Sequence, residues 1–413
     1  MGGSLILTDL PPEILVHICN YLDAGFVRTV LSRVNRRLAQ LVADPAIWKL
    51  RIFARWPSKY PPVEPQEPPW DWARACSARE KFSNQWSKHE SLKEKVRVKG
   101  HYSSVDAVML VENGLLVTGS RDRSIALWRV QEMQENSTSP GLIQKWADVH
   151  KGWVWSLSKD AHNPSTLVSV GWDNKANMWK LTNAEMILEN SVNCTTALLC
   201  SDIHSYSGTV VVGTFDKKVK MFDLRLAKPT VTSVKHHKMP VLAVRALPNN
   251  SHSVISASED GTVAMMDRRT KKVVSRMTFK DTGGFPMCMD LMGDGCNCLV
   301  VGDKNGGLRL IDANKMEEIK AVPNLHSTKI TGIDVGLDGI VTSSSDKTVK
   351  ILQPDLSLNV IATLTDNELG EVVAVSFAND CLAVGSGLEY VQVWRPKTDD
   401  NSNSVSEISD SVL

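Results

Sequence analysis

The sequence predicts a multidomain chain: an all-α N-terminal domain with a linker helix, followed by an all-β propeller of seven blades. Three observations predict it. A short polar and aromatic signature recurs seven times at intervals of about 40 to 50 residues, the first fifty residues carry helical apolar spacing, and a proline-rich segment separates the two regions. We place the helical domain at 5–51, the linker and connecting helix at 52–91, the propeller at 92–394 and a disordered tail at 395–413.

The first fifty residues predict short amphipathic helices. A helix opens at Leu10-Pro11, since proline suits the first turn, and Asp23 and Asp44 are placed to cap two further helices. A domain below about 70 to 80 residues seldom gains enough stability from its own apolar burial, so we expect part of this surface to contact a partner protein. Ile14, Leu15, Ile18 and Leu22 fall on one face of the first helix. The residues expected at the partner contact are Leu10, Pro11, Ile14, Leu15, Ile18, Leu22, Leu31, Val34 and Trp48.

Proline recurs through residues 57–69, which predicts an extended, semi-rigid spacer. Recognition of this segment by an aromatic-lined SH3-type domain is the alternative. After the spacer, apolar residues from Trp72 to Trp86 follow helical spacing. This helix is expected to cover the propeller or to fix its angle to the N-terminal domain.

Each repeat predicts a small antiparallel sheet. In the first copy, apolar runs at 105–110, 115–118 and 124–128 are separated by turns, and residues 142–146 can supply a fourth strand. A lone sheet of this size cannot bury its faces, but stacked neighbours can. A ring of such sheets leaves the last one short of an outer strand, and Glu94–Val98 is placed to supply it.

Four of the copies share a polar constellation of His, Ser or Thr, and Asp. The first two copies complete it with a tryptophan, giving His101, Thr118, Asp122, Trp128 and His150, Ser169, Asp173, Trp179. Copies four and six keep the polar members, namely His236 or His237 with Ser256 and Asp260, and His326 with Thr342 and Asp346. The other three copies lose the His and the hydroxyl together, as expected of a hydrogen-bonded unit, because a buried polar group without its partner is costly. Ser, His and Asp together could also indicate a catalytic triad, but an enzyme has no use for four nucleophiles in one chain. We therefore interpret these tetrads as structural.

Composition limits the classes of partner. The net charge of +1 gives no sign of a nucleic-acid or membrane partner. Eight cysteines without a CxxC pair favour free thiols in a reducing cytosol or nucleus over a disulfide framework. Motifs for nucleotide binding, zinc proteolysis or serine hydrolysis are absent from the sequence, so no catalytic residue, metal or cofactor is expected.

The chain resembles F-box/WD-repeat proteins over nearly its whole length. The tetrads resemble those of WD repeats, and residues 5–51 resemble an F-box in Leu10-Pro11-Pro12-Glu13-Ile14-Leu15, in Tyr21-Leu22-Asp23 and in Ile47-Trp48, while Asn35 and Leu38 depart from its pattern. The resemblance implies a substrate receptor: the F-box docks the Skp-type adaptor of a cullin-RING ubiquitin ligase through the apolar residues above, and the propeller holds the protein substrate. The alternative is a non-catalytic interaction scaffold whose helical N-terminus only packs against the propeller.

The turns that precede the tetrad Asp residues are expected to ring one face of the propeller. Candidate substrate-binding residues at this rim are Arg121, Trp153, Trp155, Trp172, Phe215, Glu259 and Lys304. Exposed Trp and Arg are frequent in binding hot spots, whereas core packing is the ordinary role of a propeller aromatic. The basic candidates, Arg121 and Lys304, lie beside the acidic Glu259, so the rim does not favour a phosphopeptide site, which needs several convergent arginines.

Overall fold

The computed structural model describes residues 10–397, apart from 66–69, 136–140, 183–184, 224, 227–228, 248–251, 280–283, 293–295, 367 and 369. Within this range, helices occupy the N-terminal region and strands form seven four-stranded antiparallel sheets, so the predicted fold class is confirmed. The predicted disordered tail lies, from residue 398 onward, outside the described residues.

The N-terminal helices begin where the sequence places caps. The side chains of Asp23 and Asp44 each accept a backbone N–H at 2.9 Å, and Asn35 caps a further helix by accepting from Leu38 at 2.8 Å. The last domain helix continues past the expected boundary at residue 51. The helices are α1 (Pro12–Tyr21), α2 (Ala24–Thr29), α3 (Arg36–Ala43), α4 (Pro45–Arg55), α5 (Trp72–Ser87) and α6 (His89–Leu92), with short 3-10 turns at Leu31–Arg33, Glu112–Gly114 and Val130–Glu132.

The sheets follow one another along the chain as blades 1 to 7. After β1 (Lys93–Lys99), blade 1 holds β2 (Ala107–Val111), β3 (Leu115–Gly119), β4 (Ile125–Arg129) and β5 (Leu142–Trp146), and blade 2 holds β6 (Val154–Lys159), β7 (Thr166–Gly171), β8 (Lys175–Leu181) and β9 (Met186–Asn193). Blade 3 holds β10 (Leu198–His204), β11 (Thr209–Thr214), β12 (Lys218–Asp223) and β13 (Thr232–Lys235), and blade 4 holds β14 (Val241–Ala246), β15 (Ser253–Ser258), β16 (Thr262–Asp267) and β17 (Lys272–Thr278). Blade 5 holds β18 (Pro286–Met292), β19 (Cys298–Asp303), β20 (Leu308–Asp312) and β21 (Glu317–Val322), and blade 6 holds β22 (Ile330–Val335), β23 (Ile340–Ser344), β24 (Thr348–Leu352) and β25 (Val360–Thr365). Blade 7 combines β26 (Val372–Ala378), β27 (Cys381–Ser386) and β28 (Tyr390–Pro396) with β1.

The ring closes by pairing the first strand with the last. Strand β1 runs antiparallel to β28 from Lys93 opposite Pro396 to Lys99 opposite Tyr390. Val96 and Val98 of β1 are buried, as their alternation in the sequence predicts. The predicted closing strand is therefore confirmed, and the propeller extends to Pro396 rather than ending at residue 394.

The tetrads form continuous hydrogen-bonded chains inside the blades. In blade 1, the indole Nε1 of Trp128 donates to Thr118 Oγ1 at 2.9 Å, and Thr118 Oγ1 lies 2.8 Å from His101 Nε2. His101 Nδ1 lies 3.1 Å from an oxygen of Asp122. Because a carboxylate only accepts, the imidazole carries its proton on Nδ1, and Nε2 accepts from the hydroxyl.

Blade 2 repeats this chain through Trp179, Ser169, His150 and Asp173, with successive distances of 2.9, 2.9 and 3.0 Å. Blade 6 keeps its polar part, since His326 lies 2.9 Å from Thr342 and 3.0 Å from Asp346. In blade 4 the sequence left two histidines open, and the structure assigns His237 as the partner of Asp260, at 3.1 Å. The predicted structural units are thus present.

The blades without a tetrad carry a different buried polar residue. Blades 3, 5 and 7 have Val212, Val301 and Val384 in place of the hydroxyl, and opposite these valines the next strand places Lys220, Arg309 and Gln392. Lys220 Nζ donates to Thr195 Oγ1 at 2.9 Å, and Arg309 pairs with Glu318. The long side chains in blades 3 and 5 thus have partners of their own, whereas the amide of Gln392 in blade 7 is buried with no hydrogen-bond partner among the described residues.

Burial sets the protonation state of the tetrads. It lowers the pKa values of His101, His237 and His326, so the imidazoles are neutral near pH 7. Burial also opposes ionisation of Asp122, but hydrogen bonds from His101, Ser124 and the Tyr102 N–H outweigh it and hold the pKa of Asp122 below its usual range. The tetrad is thus a neutral histidine donating to a carboxylate.

Helix α5 joins the helical domain to the propeller through two adjacent charged residues. On the side of the helical domain, Glu80 binds Arg51 in bidentate fashion at 2.6 and 2.8 Å and Arg55 at 2.8 Å. Arg51 also donates to the carbonyls of Cys19 and Leu22, each at 2.5 Å. Both members of the Arg51–Glu80 pair are buried, so each depends on the other.

The preceding residue, Arg79, faces the propeller. Its buried guanidinium pairs with Asp355 and donates to Gln353 at 3.1 Å, while the rings of Trp56 and Tyr60 stack on it at 4.1 and 4.8 Å. Burial lowers the pKa of Arg79, against the opposing effect of Asp355. One helix therefore holds a buried ion pair with each module.

Further along α5, aromatic side chains complete the attachment. Phe82 and Trp86 belong to the apolar core of blades 6 and 7, and the Phe82 ring lies 5.2 Å from that of Phe377. Gly339 leaves the room for this contact, because a Cβ atom there would lie 2.0 Å from the Phe82 ring. The predicted covering helix is thus part of the propeller core.

The described part of the proline-rich segment is not an extended spacer in solvent. Tyr60, Pro61, Pro62 and Val63 are buried, and the Tyr60 hydroxyl donates to the carbonyl of Leu337 at 2.8 Å. The sequence predicted a stiff spacer but not this burial, because composition does not indicate which surface covers a segment.

Replacing Asp122 with alanine is expected to lower the free energy of unfolding by at least about 3 kcal/mol, because the carboxylate accepts from a buried imidazole, a hydroxyl and a backbone N–H. Urea denaturation of the full chain measures it. Asp216→Ala is the matched control, since Asp216 occupies the same turn of a blade without the histidine. Equal losses in the two variants would contradict a tetrad role.

The stability of the chain is expected to fall as the pH drops from about 7 toward 5, because the buried histidines have folded pKa values below the unfolded value of about 6.5. Over that window the unfolded chain binds more protons. The carboxylates with depressed pKa values add a second loss below about pH 4. Urea midpoints at a series of pH values test this; a flat profile between pH 7 and 5 would count against neutral tetrad histidines.

Glu80→Ala is expected to destabilise the attachment of the helical domain by about 3 to 5 kcal/mol, since it leaves the buried Arg51 guanidinium without its carboxylate. Limited proteolysis should then cut the linker faster, and melting should begin earlier. Glu90→Ala, at an exposed glutamate of α6, is the control. An unchanged rate of linker cleavage in Glu80→Ala would show that the Arg51–Glu80 pair does not hold the helical domain in place.

Candidate protein-binding surfaces

The rim residues predicted from the repeats occupy equivalent positions in successive blades. Five of the seven donate a backbone N–H, at 2.9 to 3.1 Å, to a carbonyl in the loop before the first strand of their blade. The donor and acceptor pairs are Arg121 to Ser104, Trp172 to Trp153, Phe215 to Ala197, Glu259 to Pro240 and Lys304 to Phe285. This repeated bond places all five turns at one face of the ring.

Four aromatic rings from blades 2 and 3 form one cluster at this face. Trp153 and Trp155 are stacked 6.3 Å apart, and Trp172 lies 5.6 Å from Trp153 and 5.8 Å from Trp155. Phe215 extends the cluster, with its ring 5.7 Å from that of Trp172. Trp153, Trp172 and Phe215 remain 42, 37 and 52% exposed, so the cluster presents contiguous aromatic surface to solvent.

Arg121 borders this aromatic cluster but is not a free cation. Its guanidinium binds the buried carboxylate of Asp106 in bidentate fashion, at 2.8 and 3.0 Å. It also lies 5.0 and 5.4 Å from the rings of Trp153 and Trp155. Sequence reasoning missed this partner, although Asp106 lies at the end of the same loop. That Arg121 contacts a substrate stays a prediction.

The structure does not join the other two predicted rim residues to the aromatic cluster. Glu259 belongs to blade 4 and Lys304 to blade 5, and Lys304 Nζ lies instead over the ring of Phe285 at 5.0 Å. Sequence reasoning also missed Tyr102, which follows the tetrad His101, is highly exposed and lies under Lys145 Nζ at 4.6 Å. Its place directly after a tetrad histidine could have marked it as a rim residue.

The second exposed apolar surface lies on the helical domain. Pro11, Ile14, Ile18 and Tyr21 follow helical spacing on one side of α1, and Ile14 and Tyr21 are 46 and 79% exposed. Phe26, Val30 and Val34 are also exposed on the elements that follow. Tyr21, Phe26 and Val30 were not predicted, although Tyr21 continues the spacing of Ile14 and Ile18.

Two predicted adaptor contacts are core residues instead. Leu15 and Trp48 are only 2 and 1% exposed, and Trp48 Nε1 donates to the carbonyl of Val42 at 2.8 Å. Leu22 and Leu31 also pack against the core of this domain. The apolar residues of α1 were expected on one face, but they lie on two. Leu15 and Cys19 face the core of the helical domain, whereas Ile14 and Ile18 face outward.

The described residues hold no group of three or more His, Cys, Asp or Glu side chains arranged to bind a metal ion. The eight cysteines are all free thiols. Among the helices described, none has the length and apolar character to cross a membrane.

Comparison with known proteins gives the same two modules. A family model described as F-box-like matches residues 7–54, and one described as WD domain, G-beta repeat matches residues 92–129 and 228–267. The WD40 beta propeller domain of Doa1 is similar in fold, with a TM-score of 0.60 and 17% identity, over 74% of this chain and 97% of that one.

Similar curated proteins extend over both modules. F-box/WD repeat-containing protein 9 of Homo sapiens is 34% identical over 94% of this chain and 82% of its own length, and that of Bos taurus is 33% identical over the same shares. F-box/WD repeat-containing protein mec-15 of Caenorhabditis elegans is 28% identical over 76% of this chain and 77% of its own. With a helical domain that matches the F-box, a seven-bladed propeller behind it and relatives that share both, the chain belongs to the F-box/WD-repeat family.

Proposed function

We propose that this chain is the substrate-recognition subunit of an SCF-type cullin-RING ubiquitin ligase. Its helical domain docks the Skp-type adaptor and, through it, the cullin-RING ligase, while the propeller binds the protein to be ubiquitinated. The chain acts without a catalytic residue of its own. One observation carries the proposal: two exposed apolar surfaces, one on each module, are held in a fixed relation by buried ion pairs on α5.

The outer side of α1 supports the adaptor contact. Pro11, Ile14, Ile18 and Tyr21 form a stripe along one helix, which is the arrangement by which a helix meets an apolar partner surface. Leu10 and Val34 remain candidates beside it. Leu15 and Trp48 act indirectly, because they pack the core that holds this stripe in place.

The α5 joint supports a role in which distance matters. A ligase must hold the substrate lysine within reach of its ubiquitin-carrying partner, and a loose joint would lose that geometry. Arg79 and Glu80 fix both modules from adjacent positions. A scaffold whose N-terminus only packs against the propeller would share this joint, so the adaptor contact is what distinguishes the two functions.

The free thiols favour a reducing compartment, so we propose a cytoplasmic or nuclear location. The scaffold reading, in which the propeller binds partners independently of ubiquitination, is the outcome that the following experiment can establish instead.

Replacing Ile14 and Tyr21 together with aspartate is expected to abolish co-purification of the Skp-type adaptor, because two charges would have to be buried in an apolar contact. Both side chains are exposed, so the melting temperature should change by no more than a few degrees. The readout is adaptor recovered with the tagged full chain from cells.

Val360→Asp, at an exposed apolar residue on the outer strand of blade 6, is the control and should retain the adaptor. Full adaptor recovery with the Ile14 and Tyr21 variant would exclude this face as the docking site and favour the scaffold reading.

A further inference from the structure

The aromatic cluster of Trp153, Trp155, Trp172 and Phe215 allows the recognised feature of the substrate to be inferred, an inference that rests on the proposed function. Single exposed aromatic residues are ordinary on a protein surface, but contiguous ones mark interaction sites. These rings form an unbroken series from blade 2 to blade 3, with neighbouring centroids 5.6 to 6.3 Å apart. The cluster can therefore stack on several side chains of one bound segment.

Three cations in the rim turns of blades 1 and 3 have carboxylate partners within the chain. Arg121 is paired with Asp106, Arg123 with Asp148 at 2.9 Å, and Lys218 with Asp216 at 2.9 Å. A phosphate group is normally held by several convergent, unpaired cations, with arginine supplying bidentate contacts. Lysines such as Lys151, in the loop before Trp153, offer single point charges only.

A cationic side chain is also disfavoured as the occupant. The guanidinium of Arg121 already lies over the rings of Trp153 and Trp155, at 5.0 and 5.4 Å, and takes the position that a ligand cation would need on them. A second cation beside it would be repelled. The buried Asp106 cannot compensate, because both of its oxygens already bind Arg121.

We propose that this cluster binds an unphosphorylated segment of the substrate through an uncharged aromatic or branched aliphatic side chain. That side chain stacks on Trp172 and Phe215, the two rings of the cluster over which no lysine or arginine of the described residues lies. Arg121, bound to Asp106, lies against Trp153 and Trp155 at the edge of this site. Capture then depends on exposure of an apolar segment rather than on a kinase.

The test uses the full chain in complex with the adaptor and three fluorescent pools of synthetic peptides, with flanks randomised in small polar residues. The fixed central residue is Leu, Phe or Trp in the first pool, phosphothreonine in the second and arginine in the third. Fluorescence anisotropy measures the affinity for each pool. We expect the first pool to bind at least about tenfold more tightly than the other two, and its affinity to change little with salt.

Replacing Trp172 and Phe215 together with alanine is expected to weaken binding of the first pool by about 30-fold or more, as for loss of a hot spot. Trp172→Leu with Phe215→Leu, which keeps apolar bulk, guards against a folding defect and should still lose most of the affinity. Tyr206→Ala is the matched control, because Tyr206 is an exposed aromatic residue in the turn between β10 and β11, at the opposite face.

A preference for the phosphothreonine or arginine pool would overturn the proposal. Unchanged binding by both variants of Trp172 and Phe215, or no binding of the first pool, would overturn it as well. Adaptor recovery is measured separately with the α1 variant, so failure of the ligase role and failure of this inference give different results.

Discussion

Two neighbouring charges on α5 hold the two modules of this protein together. Successive residues of a helix point about 100° apart, so Glu80 can face Arg51 in the helical domain while Arg79 faces Asp355 in blade 6. A buried charge without its partner costs several kcal/mol, and each of these four groups has its partner in place. The position of the apolar stripe of α1 relative to the rim of the propeller depends on both pairs.

A related dependence between partners operates inside the blades. The His and the hydroxyl disappear together in blades 3, 5 and 7, because either one alone would be a buried polar group without its partner. Lys220 and Arg309 then bring their own partners, Thr195 and Glu318. The hydrogen-bonded residues of a blade are therefore replaced together rather than one at a time.

Features that lie within one repeat could be predicted from the sequence. His101, Thr118, Asp122 and Trp128 fall within a single copy, and the recurrence of their spacing revealed the tetrads. The closing strand followed from the ring that seven repeats imply. Burial between distant segments could not be predicted in this way. Arg79 and Asp355 are separated by 276 residues, and no periodicity relates them. Helical spacing showed that α1 has apolar faces, but only packing shows that Leu15 is covered and Ile14 is not.

At the candidate site, too, the repeat pattern predicted which residues share a face but not which residues they pair with. The repeat pattern predicted that Arg121, Trp172 and Phe215 share a rim, because the turn recurs in every blade. It could not predict that Arg121 is neutralised, since Asp106 is not part of the recurring signature. The pairing compensates the charge of Arg121 beside the aromatic cluster.

The pairing of β1 with β28 has a consequence for the order of events during protein synthesis. The ribosome releases β1 early, but its partner strand ends at Pro396 and is made last. Asp355, the partner of Arg79, also arrives after five blades have been made. A nascent chain therefore carries an unpaired strand edge and an uncompensated arginine for most of its synthesis. Truncation before Tyr390 would remove the partner of β1 and leave the circle open.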